Sequence, residues 1–590
     1  MIFGKTINKY YFKYFHLFLT GIIALVIIDY IQLEIPLLTG ALIGDLAEGT
    51  VDKAGIVDVI LLIALYVVII VAGRFVWRYF IFGASRQVDY GLRNELFAHT
   101  EKLSNSFYSQ NKVGGLMAYF ASDIEAVRRS VGPGMIMFVD SLFLGGLAFY
   151  HMYNIDARLA FFSATPLLVI AVLGAVLGKK MRIKFKEAQK SFEDLSDFTN
   201  ENLSGLGVIK AFVKERSEIK EFLKINKRSK IKNIEYVKIQ SFLQIIIRMV
   251  VSIIFVVIIG YGGYLIKDTA SLPIEDRFTI GDLNTFIMLF GSLIWPMMAL
   301  SMIINIRSRG KGSLERLDKI LYEPIEVYDK DVLDITEIKG EIEFRNLSFK
   351  YPDGVDNALE NISFKIKSGE TCGVIGRTGS GKTSILDLLL RIYNVEENTL
   401  FLDGVDIMKI PIKTVRNGIG YVPQDGFLFS DSIANNISFG LRKNIELITV
   451  IEDAAMQSDV HDNIIEFTDG YDTIIGERGV TLSGGQKQRL SIARALIKDP
   501  AILILDDSVS AVDTKTEETI LTNLKTQRNN KTTIIIAHRI STIKNVDKII
   551  VVEEGKVIAI GNHQSLLKTC VFYQDMVDRQ KLEDEIEVGL

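Results

Sequence analysis

A chain of 590 residues that is 48% hydrophobic, with positive mean hydropathy, is too long for one domain and too apolar for an ordinary soluble protein, so a membrane domain is expected. The formal charge of -4 is small for this length and points to neither a nucleic-acid partner nor an acidic tail. Cys372 and Cys570 are too few for a disulfide framework or a zinc cluster and read as reduced core thiols.

Apolar stretches of the length that crosses a bilayer, about 20 residues, occur at 16–43, 56–82, 132–152, 157–178, 242–266 and 284–306, which predicts six spans. No cleavable leader precedes the first, so that span is expected to act as its own insertion signal. Polar segments at 83–131 and 179–241 keep a helical period and little proline, which predicts helices running well beyond the membrane. Lys5, Lys9 and Lys13 precede the first span, Lys179, Lys180, Arg182, Lys184 and Lys186 follow the fourth, and Lys232 and Lys238 precede the fifth. The short connections 44–55 and 268–280 carry only Lys53 and Arg277 among lysines and arginines beyond their ends. Both termini and both long segments are therefore expected in the cytoplasm.

Past residue 307 the membrane signal stops, and a charged stretch holding Pro324 leads into alternating strands and helices. The expected division is a membrane domain over 1–320, a linker over 321–338, an α/β domain over 339–580 and a tail over 581–590. In the third segment EIEFRNLSF, TCGVIG, AILILDD, TTIIIAH and KIIVVEEGKVIAIG read as strands of a largely parallel sheet.

Between TCGVI and the helical TSILDLLLRI lies Gly376-Arg377-Thr378-Gly379-Ser380-Gly381-Lys382-Thr383, in the strand–loop–helix setting a phosphate-binding loop needs. Its glycines let backbone N–H groups close around phosphate, Lys382 offers a point charge, and the Thr383 hydroxyl suits Mg²⁺. Thr378, Ser380 and Ser384 complete the expected nucleotide-binding set. Further on, AILIL delivers Asp506 and Asp507 at its C-terminal edge, and Asp506 is expected to hold the Mg²⁺ shell.

The run Leu482-Ser483-Gly484-Gly485-Gln486 resembles the signature of the ATP-binding cassette (ABC) family. Around it Tyr351 resembles the adenine-stacking aromatic, Gln424 the Q-loop glutamine and a second Mg²⁺ contact, Ser510-Ala511-Val512-Asp513 the D-loop, and His538 the switch histidine. The resemblance implies ATP and Mg²⁺ as cofactors. It also implies two cassettes meeting head to tail, so that Ser483, Gly484, Gly485, Gln486 and Asp513 serve a partner's nucleotide. One departure stands out: the residue after the Mg²⁺ carboxylate is normally Glu, the general base, and here it is Asp507, one methylene shorter. With Asp507, His538 and Gln424 as the catalytic set, this chain's own site is expected to bind ATP and hydrolyse it slowly. An intact signature beside that defect implies a heterodimer with a second ABC half-transporter.

The six-span plan looks like the exporter-type transmembrane domain, with SFYSQNKVGGLMAYFASDIEAVR (106–128) and SGLGVIKAFVKERSE (204–218) similar to its two coupling segments. Gly476-Glu477-Arg478-Gly479 resembles the loop that touches them. Ionisable residues inside spans are costly and suggest function, so Asp29, Glu34 and Asp140 are candidate substrate contacts for amphipathic cations. Phe138, Phe143, Phe149, Phe255, Phe286 and Phe290 would add apolar or cation–π contact, and Arg248 is a weaker candidate at the start of the fifth span. The expected function is ATP-driven export of small amphipathic compounds across the plasma membrane, with the lipid bilayer as surroundings. The alternatives are a lipid or lipid-linked flippase, an exporter-fold importer of iron chelates, and an ATP-gated regulatory membrane protein.

Overall fold

The computed structural model describes residues 4–590 except 112, 274–276, 442–447, 477–481, 509–511, 513 and 590; the side chains at 113, 167–179, 301, 514 and 583–589 also lie outside the described set. The chain divides into two compact units, Met1–Glu101 with Gly114–Tyr322 and Lys102–Val113 with Glu323–Leu590.

Its first eleven helices are α1 (Lys5–Lys13), α2 (Phe15–Glu48), α3 (Lys53–Thr100), α4 (Asn105–Gln110), α5 (Val113–Ala118), α6 (Ile124–Val131), α7 (Pro133–Ile155), α8 (Ala157–Ser204), α9 (Leu206–Ala211), α10 (Glu215–Asp268) and α11 (Ile280–Leu321). Short polar caps start three of the long ones, α3, α8 and α11. Asp52 accepts from the Gly55 N–H at 2.8 Å, Asp156 from Leu159 at 2.6 Å, and Thr279 with Asp282 forms a reciprocal capping box. At 48 residues, α3 is roughly 70 Å long by the helical rise, more than twice the ~30 Å apolar thickness of a bilayer. Its polar second half is thus membrane-external, as the pattern of 83–131 predicts in part.

Among the described residues, five stretches are long and apolar enough to cross a membrane: Phe15–Glu48, Lys53–Thr100, Gly114–Ile155, Glu215–Ser271 and Ile280–Leu321. The expected fourth span, 157–178, falls in α8, where the side chains of 167–179 are outside the described set. In this unit α2 packs on α3, α7 and α11, and α8 packs on α10. Glycine permits the closest approach: a Cβ on Gly281 of α11 would lie 2.3 Å from the Gly40 carbonyl of α2. Outside the spans, buried Asp123 accepts from Ser313 at 2.8 Å and pairs with Arg316, tying the segment before α6 to α11.

The second unit carries two sheets. Strands β1 (Ile342–Phe349), β2 (Leu359–Ile366), β4 (Leu400–Leu402) and β5 (Val405–Asp406) form an antiparallel sheet in the order β2-β1-β4-β5. The other sheet runs β10-β9-β3-β8-β7-β6, from β3 (Thr371–Ile375), β6 (Ile419–Val422), β7 (Ile502–Asp506), β8 (Thr532–Ile536), β9 (Lys548–Glu553) and β10 (Lys556–Gly561). It is parallel except for β10. The expected single strand KIIVVEEGKVIAIG is a hairpin instead, because Glu554 and Gly555 both take positive φ (44° and 76°) and turn the chain. β7 and β8 are buried along their whole length and β3 from Cys372 on, which a parallel sheet covered on both faces requires. Around the sheets lie α12 (Lys382–Leu389), α13 (Ile412–Gly418), α14 (Ile433–Ser438), α15 (Ile448–Gln457), α16 (His461–Ile465), α17 (Gly484–Leu496), α18 (Thr514–Gln527), α19 (Ile540–Ile543), α20 (His563–Thr569) and α21 (Val571–Gly589).

Candidate functional site

The register of the parallel sheet assembles the site. Val374 pairs with Ile536, Ile536 with Asp506, and Leu505 with Val422, so the C-terminal ends of β3, β8, β7 and β6 lie level along one edge. That edge is where open α/β sheets bind ligands. It carries, at each strand's end or within two residues of it, the loop 376–381, His538, the Asp506-Asp507 pair and Gln424. Asp506 sits two strand spacings from β3, roughly 10 Å, on the same edge as the loop, so it would help hold a cation beside bound phosphate.

The loop is a cradle that side chains would fill. A Cβ on Gly376 would stand 2.0 Å from the Val552 carbonyl, and Gly381 takes φ +97° with its Cβ position 2.7 Å from the Ala358 carbonyl. Lys382 is buried and turns its Nζ onto the Gly376 and Arg377 carbonyls, 2.8 Å each. Burial pulls the ammonium below the usual lysine range, opposed by Asp506 and Asp507. Burial also pushes the Asp506 carboxyl up, while the Tyr421 hydroxyl donates to it at 3.4 Å. The Ser380 hydroxyl is buried with no partner among the described residues. A lysine spent on its own loop, an orphaned hydroxyl and a poorly satisfied carboxylate are what a site for phosphate and a hard cation leaves when read on its own. Among the described residues no three His, Cys, Asp or Glu side chains cluster to hold a metal alone. The donor set thus fits Mg²⁺, which is usually held by one or two carboxylates together with substrate phosphates.

Asp507 takes φ +46°, a left-handed conformation that Asp tolerates better than most residues. This turn parts the two acids: Asp506 is buried beside Tyr421, whereas Asp507 faces Gln424, whose Nε2 donates to it at 3.5 Å. Thr383 is exposed at the mouth of α12, and Thr378 and Gly379 are exposed on the loop. Ser384 is buried and accepts from the Tyr351 hydroxyl at 2.8 Å, and the same hydroxyl reaches Asp387 at 3.2 Å. Tyr351 is thereby fixed beside α12, edge-on to Phe349 and Tyr393. Ser483 caps α17: its hydroxyl accepts from the Gln486 N–H at 3.2 Å, and its own N–H donates to the Gln486 side chain at 2.9 Å. Ser483 and Gly484 are exposed, with Gly485 half-buried, so the helix opens with free N–H groups toward solvent. Ser510, Ala511, Asp513, Glu477, Arg478 and Gly479 lie outside the described residues.

In the membrane unit, Asp29 and Asp140 are brought together and Glu34 is not. Both aspartates line a cavity of about 690 Å³ between α2, α3, α7 and α11, together with Arg74, Trp77, Met288 and Trp295. Trp295 Nε1 donates to Asp140 at 3.2 Å and Arg74 to Gln32 at 3.0 Å. One oxygen of each aspartate is buried without a partner among the described residues. Glu34 does not line the cavity, and Arg248 is exposed on α10. Of the six phenylalanines, Phe286 and Phe290 are fully buried core residues, Phe149 and Phe255 pack against that core, Phe138 and Phe143 are exposed on α7, and none lines the cavity. Tyr421 and the two tryptophans escaped sequence reasoning. The signal for the tryptophans was available, since the chain has only 2 and both line this cavity.

Of the expected coupling segments, α4 belongs to the cassette unit: Ser104 and Ser106 both donate to Glu326, and Asn105 donates to the Tyr393 hydroxyl at 3.2 Å. Residues 114–128 of that segment belong to the membrane unit. The second segment, α9 and the turn after it, exposes Val208, Phe212 and Val213, and Val213 has φ +52°.

Comparison with known proteins accounts for both units. Residues 18–297 match the ABC transporter transmembrane region family and 359–510 the ABC transporter family. The chain is 35% identical over 589 residues, 99% of each chain, to the "Probable multidrug resistance ABC transporter ATP-binding/permease protein YheI" of Bacillus subtilis. It is 37% identical, over 96% of each chain, to the "Multidrug resistance-like ATP-binding protein MdlA" of Buchnera aphidicola. The fold matches a solved bacterial Atm1-family ABC exporter with ATP bound, at TM-score 0.77 and 24% identity, covering 96% of this chain and 99% of that one. The chain therefore belongs to the ATP-binding cassette transporters, with a helical transmembrane domain and a cassette that hydrolyses ATP for transport on one polypeptide.

Proposed function

We propose that this chain is one half of a multidrug-type exporter of the plasma membrane, pairing with a different ABC subunit and moving small amphipathic compounds outward from the cytoplasmic side. The observation that carries this is the separation of finished parts. The phosphate cradle and the Asp506-Asp507 edge need a γ-phosphate partner, while the capped N-terminus of α17 presents Ser483 and Gly484 to solvent. Two such chains placed head to tail satisfy both needs. Bound nucleotide would be held by Gly376, Thr378, Gly379, Ser380, Gly381, Lys382, Thr383 and Ser384, with Tyr351 against the base. Thr383, Gln424 and Asp506 would hold Mg²⁺, which would supply positive charge at the bound phosphates. His538 would face the γ-phosphate. Asp507, shorter than glutamate, makes this chain's own site the slow one, which favours a heterodimer whose partner supplies the stronger base. The relatives named for multidrug resistance align over nearly the whole chain. With the cavity at Asp29 and Asp140, they support amphipathic, cation-favouring substrates.

The crossed geometry is tested on the complex copurified from membranes. Ser483→Arg places bulk and positive charge where the partner's γ-phosphate would dock, and one lost transition-state donor is typically worth about 10²–10³ in rate. Steady-state ATPase should nearly vanish. Lys382→Ala should weaken nucleotide at the slow site, seen by trapping, and reduce turnover only in part. A dead Lys382 variant beside an active Ser483 variant would overturn the assignment of the slow site to this chain.

A further inference from the structure

The last helix contributes to the nucleotide edge in a way no motif announces. Tyr573, Val577 and Gln580 fall at i, i+4 and i+7 on α21 and so share one face. Tyr573 and Val577 are buried in the core that also holds Ile540, Ile543 and Leu566, and the Tyr573 hydroxyl meets His563 Nδ1 at 2.8 Å. That anchoring fixes where Gln580 stands. Its Nε2 donates to the His538 carbonyl at 2.5 Å and its Oε1 accepts from the Ile540 N–H at 2.6 Å.

One amide thus grips the backbone on both sides of Arg539, directly after the histidine that follows β8. The Ile540 N–H is a first-turn donor of α19, left over by helix geometry, and Ile540 itself is buried, so the donor needs a partner from elsewhere. A primary amide offers donor and acceptor side by side, matching a carbonyl and an N–H two residues apart; an ionised carboxylate has no donor for the carbonyl. Across the same turn the Thr542 hydroxyl donates to Glu517 of α18, so α19 is held from two sides.

We propose that Gln580 is a positioning residue for His538: α21 sets the backbone from which the imidazole is aimed, and so sets the rate of γ-phosphate cleavage without touching nucleotide. The inference rests on the reading of His538 given above. It is tested with the full-length chain in lipid nanodiscs, using Mg·ATP in single-turnover hydrolysis and a fluorescent ATP analogue for affinity. Gln580→Ala should slow hydrolysis by roughly 10- to 100-fold, the range a misplaced catalytic group costs, with nucleotide affinity within about twofold of the parent by the same reasoning that Gln580 touches no nucleotide. Gln580→Glu keeps the acceptor for Ile540 but sets an anion against the His538 carbonyl, and should be slow as well while retaining the fold. The double variant His538→Ala/Gln580→Ala should be no slower than His538→Ala alone, because residues acting through one group are not additive. Arg579→Ala, which loses only an exposed pair with Asp575, should hydrolyse at the parent rate. Additive losses in the double variant, or an affinity loss equal to the rate loss, would overturn the inference. A slow His538→Ala beside a fast Gln580→Ala overturns it alone. An unchanged rate in His538→Ala overturns the reading of the histidine and the inference with it.

Discussion

Asp507 and its neighbour show how much a single backbone angle decides. Both acids leave the same strand end, yet the positive φ at Asp507 sends one into the protein beside Tyr421 and the other toward Gln424. The left-handed turn costs a non-glycine residue about 1 kcal/mol or more, and the Asp507 N–H bond to the Ile536 carbonyl at 3.0 Å holds it in place. From that fixed backbone the carboxylate's reach is set by side-chain length alone. Asp507→Glu should therefore raise single-turnover hydrolysis at this chain's own site by about 10- to 100-fold, whereas Asp507→Asn should change it little. The check is phosphate release from the full-length chain; a rate unmoved by Asp507→Glu but abolished by Asp507→Asn would make aspartate the working base. Lys382, Asp506 and Gln424 were legible as residue types in sequence order. That Asp506 and Asp507 diverge was not, because a φ value is settled by the neighbouring strand.

At the scale of elements, α4 makes the clearest case for tertiary control. Six residues cannot sustain a helix in water, where nucleation alone is unfavourable and isolated helices below about 12–15 residues are marginal. Two serine hydroxyls on Glu326 and an amide on Tyr393 hold this one against the cassette. The serine donors keep the Glu326 carboxyl below its ordinary range. A depressed acid lends stability that is complete above its unfolded pKa, about 4.3, and is lost as pH falls below that value. Since Glu326 is exposed, the loss is worth no more than about 1 kcal/mol. Hydrogen exchange of amides 105–110 should thus quicken up to about fivefold in Glu326→Gln at neutral pH, and in the parent below about pH 4 relative to the intrinsic rate. Exchange at 105–110 equal in the two proteins would show that Tyr393 and packing hold α4 unaided. The long membrane helices behave oppositely: runs such as 16–43 or 242–266 predict their own helices because a bilayer admits little else.

For the molecule as a whole, the membrane cavity connects structure to cargo. It lies among four helices of one chain and holds both tryptophans, so selectively excited tryptophan fluorescence of this chain reports on that cavity. A tetraalkylated aromatic cation should quench it, and Asp29→Asn or Asp140→Asn should weaken its binding about tenfold, or ~1.4 kcal/mol per lost counter-charge. A neutral dye of similar size should bind these variants as it binds the parent. Equal loss for charged and neutral dyes would return the aspartates to a packing role. Glu34→Gln should leave the titration unchanged, as the side chain does not line the cavity.

By itself the sequence determined whatever depends on composition and local order: the apolar runs, the phosphate loop between strand and helix, the signature at a capped helix start and the aspartate in place of glutamate. Those features survive translation into structure because each is dictated by bilayer thickness, backbone sterics or a short-range motif. Tertiary structure alone decided which distant residues meet. Asp29 and Asp140 share a cavity while Glu34, five residues from Asp29, does not, because a helix turns 100° per residue and neighbours choose the face. Gln580 reaches the His538 turn across 42 residues of chain, since the buried face of α21 was fixed by the core it packs on. Hydrophobic burial chooses that face without regard to sequence distance, which is why no spacing rule could have placed that glutamine beside His538.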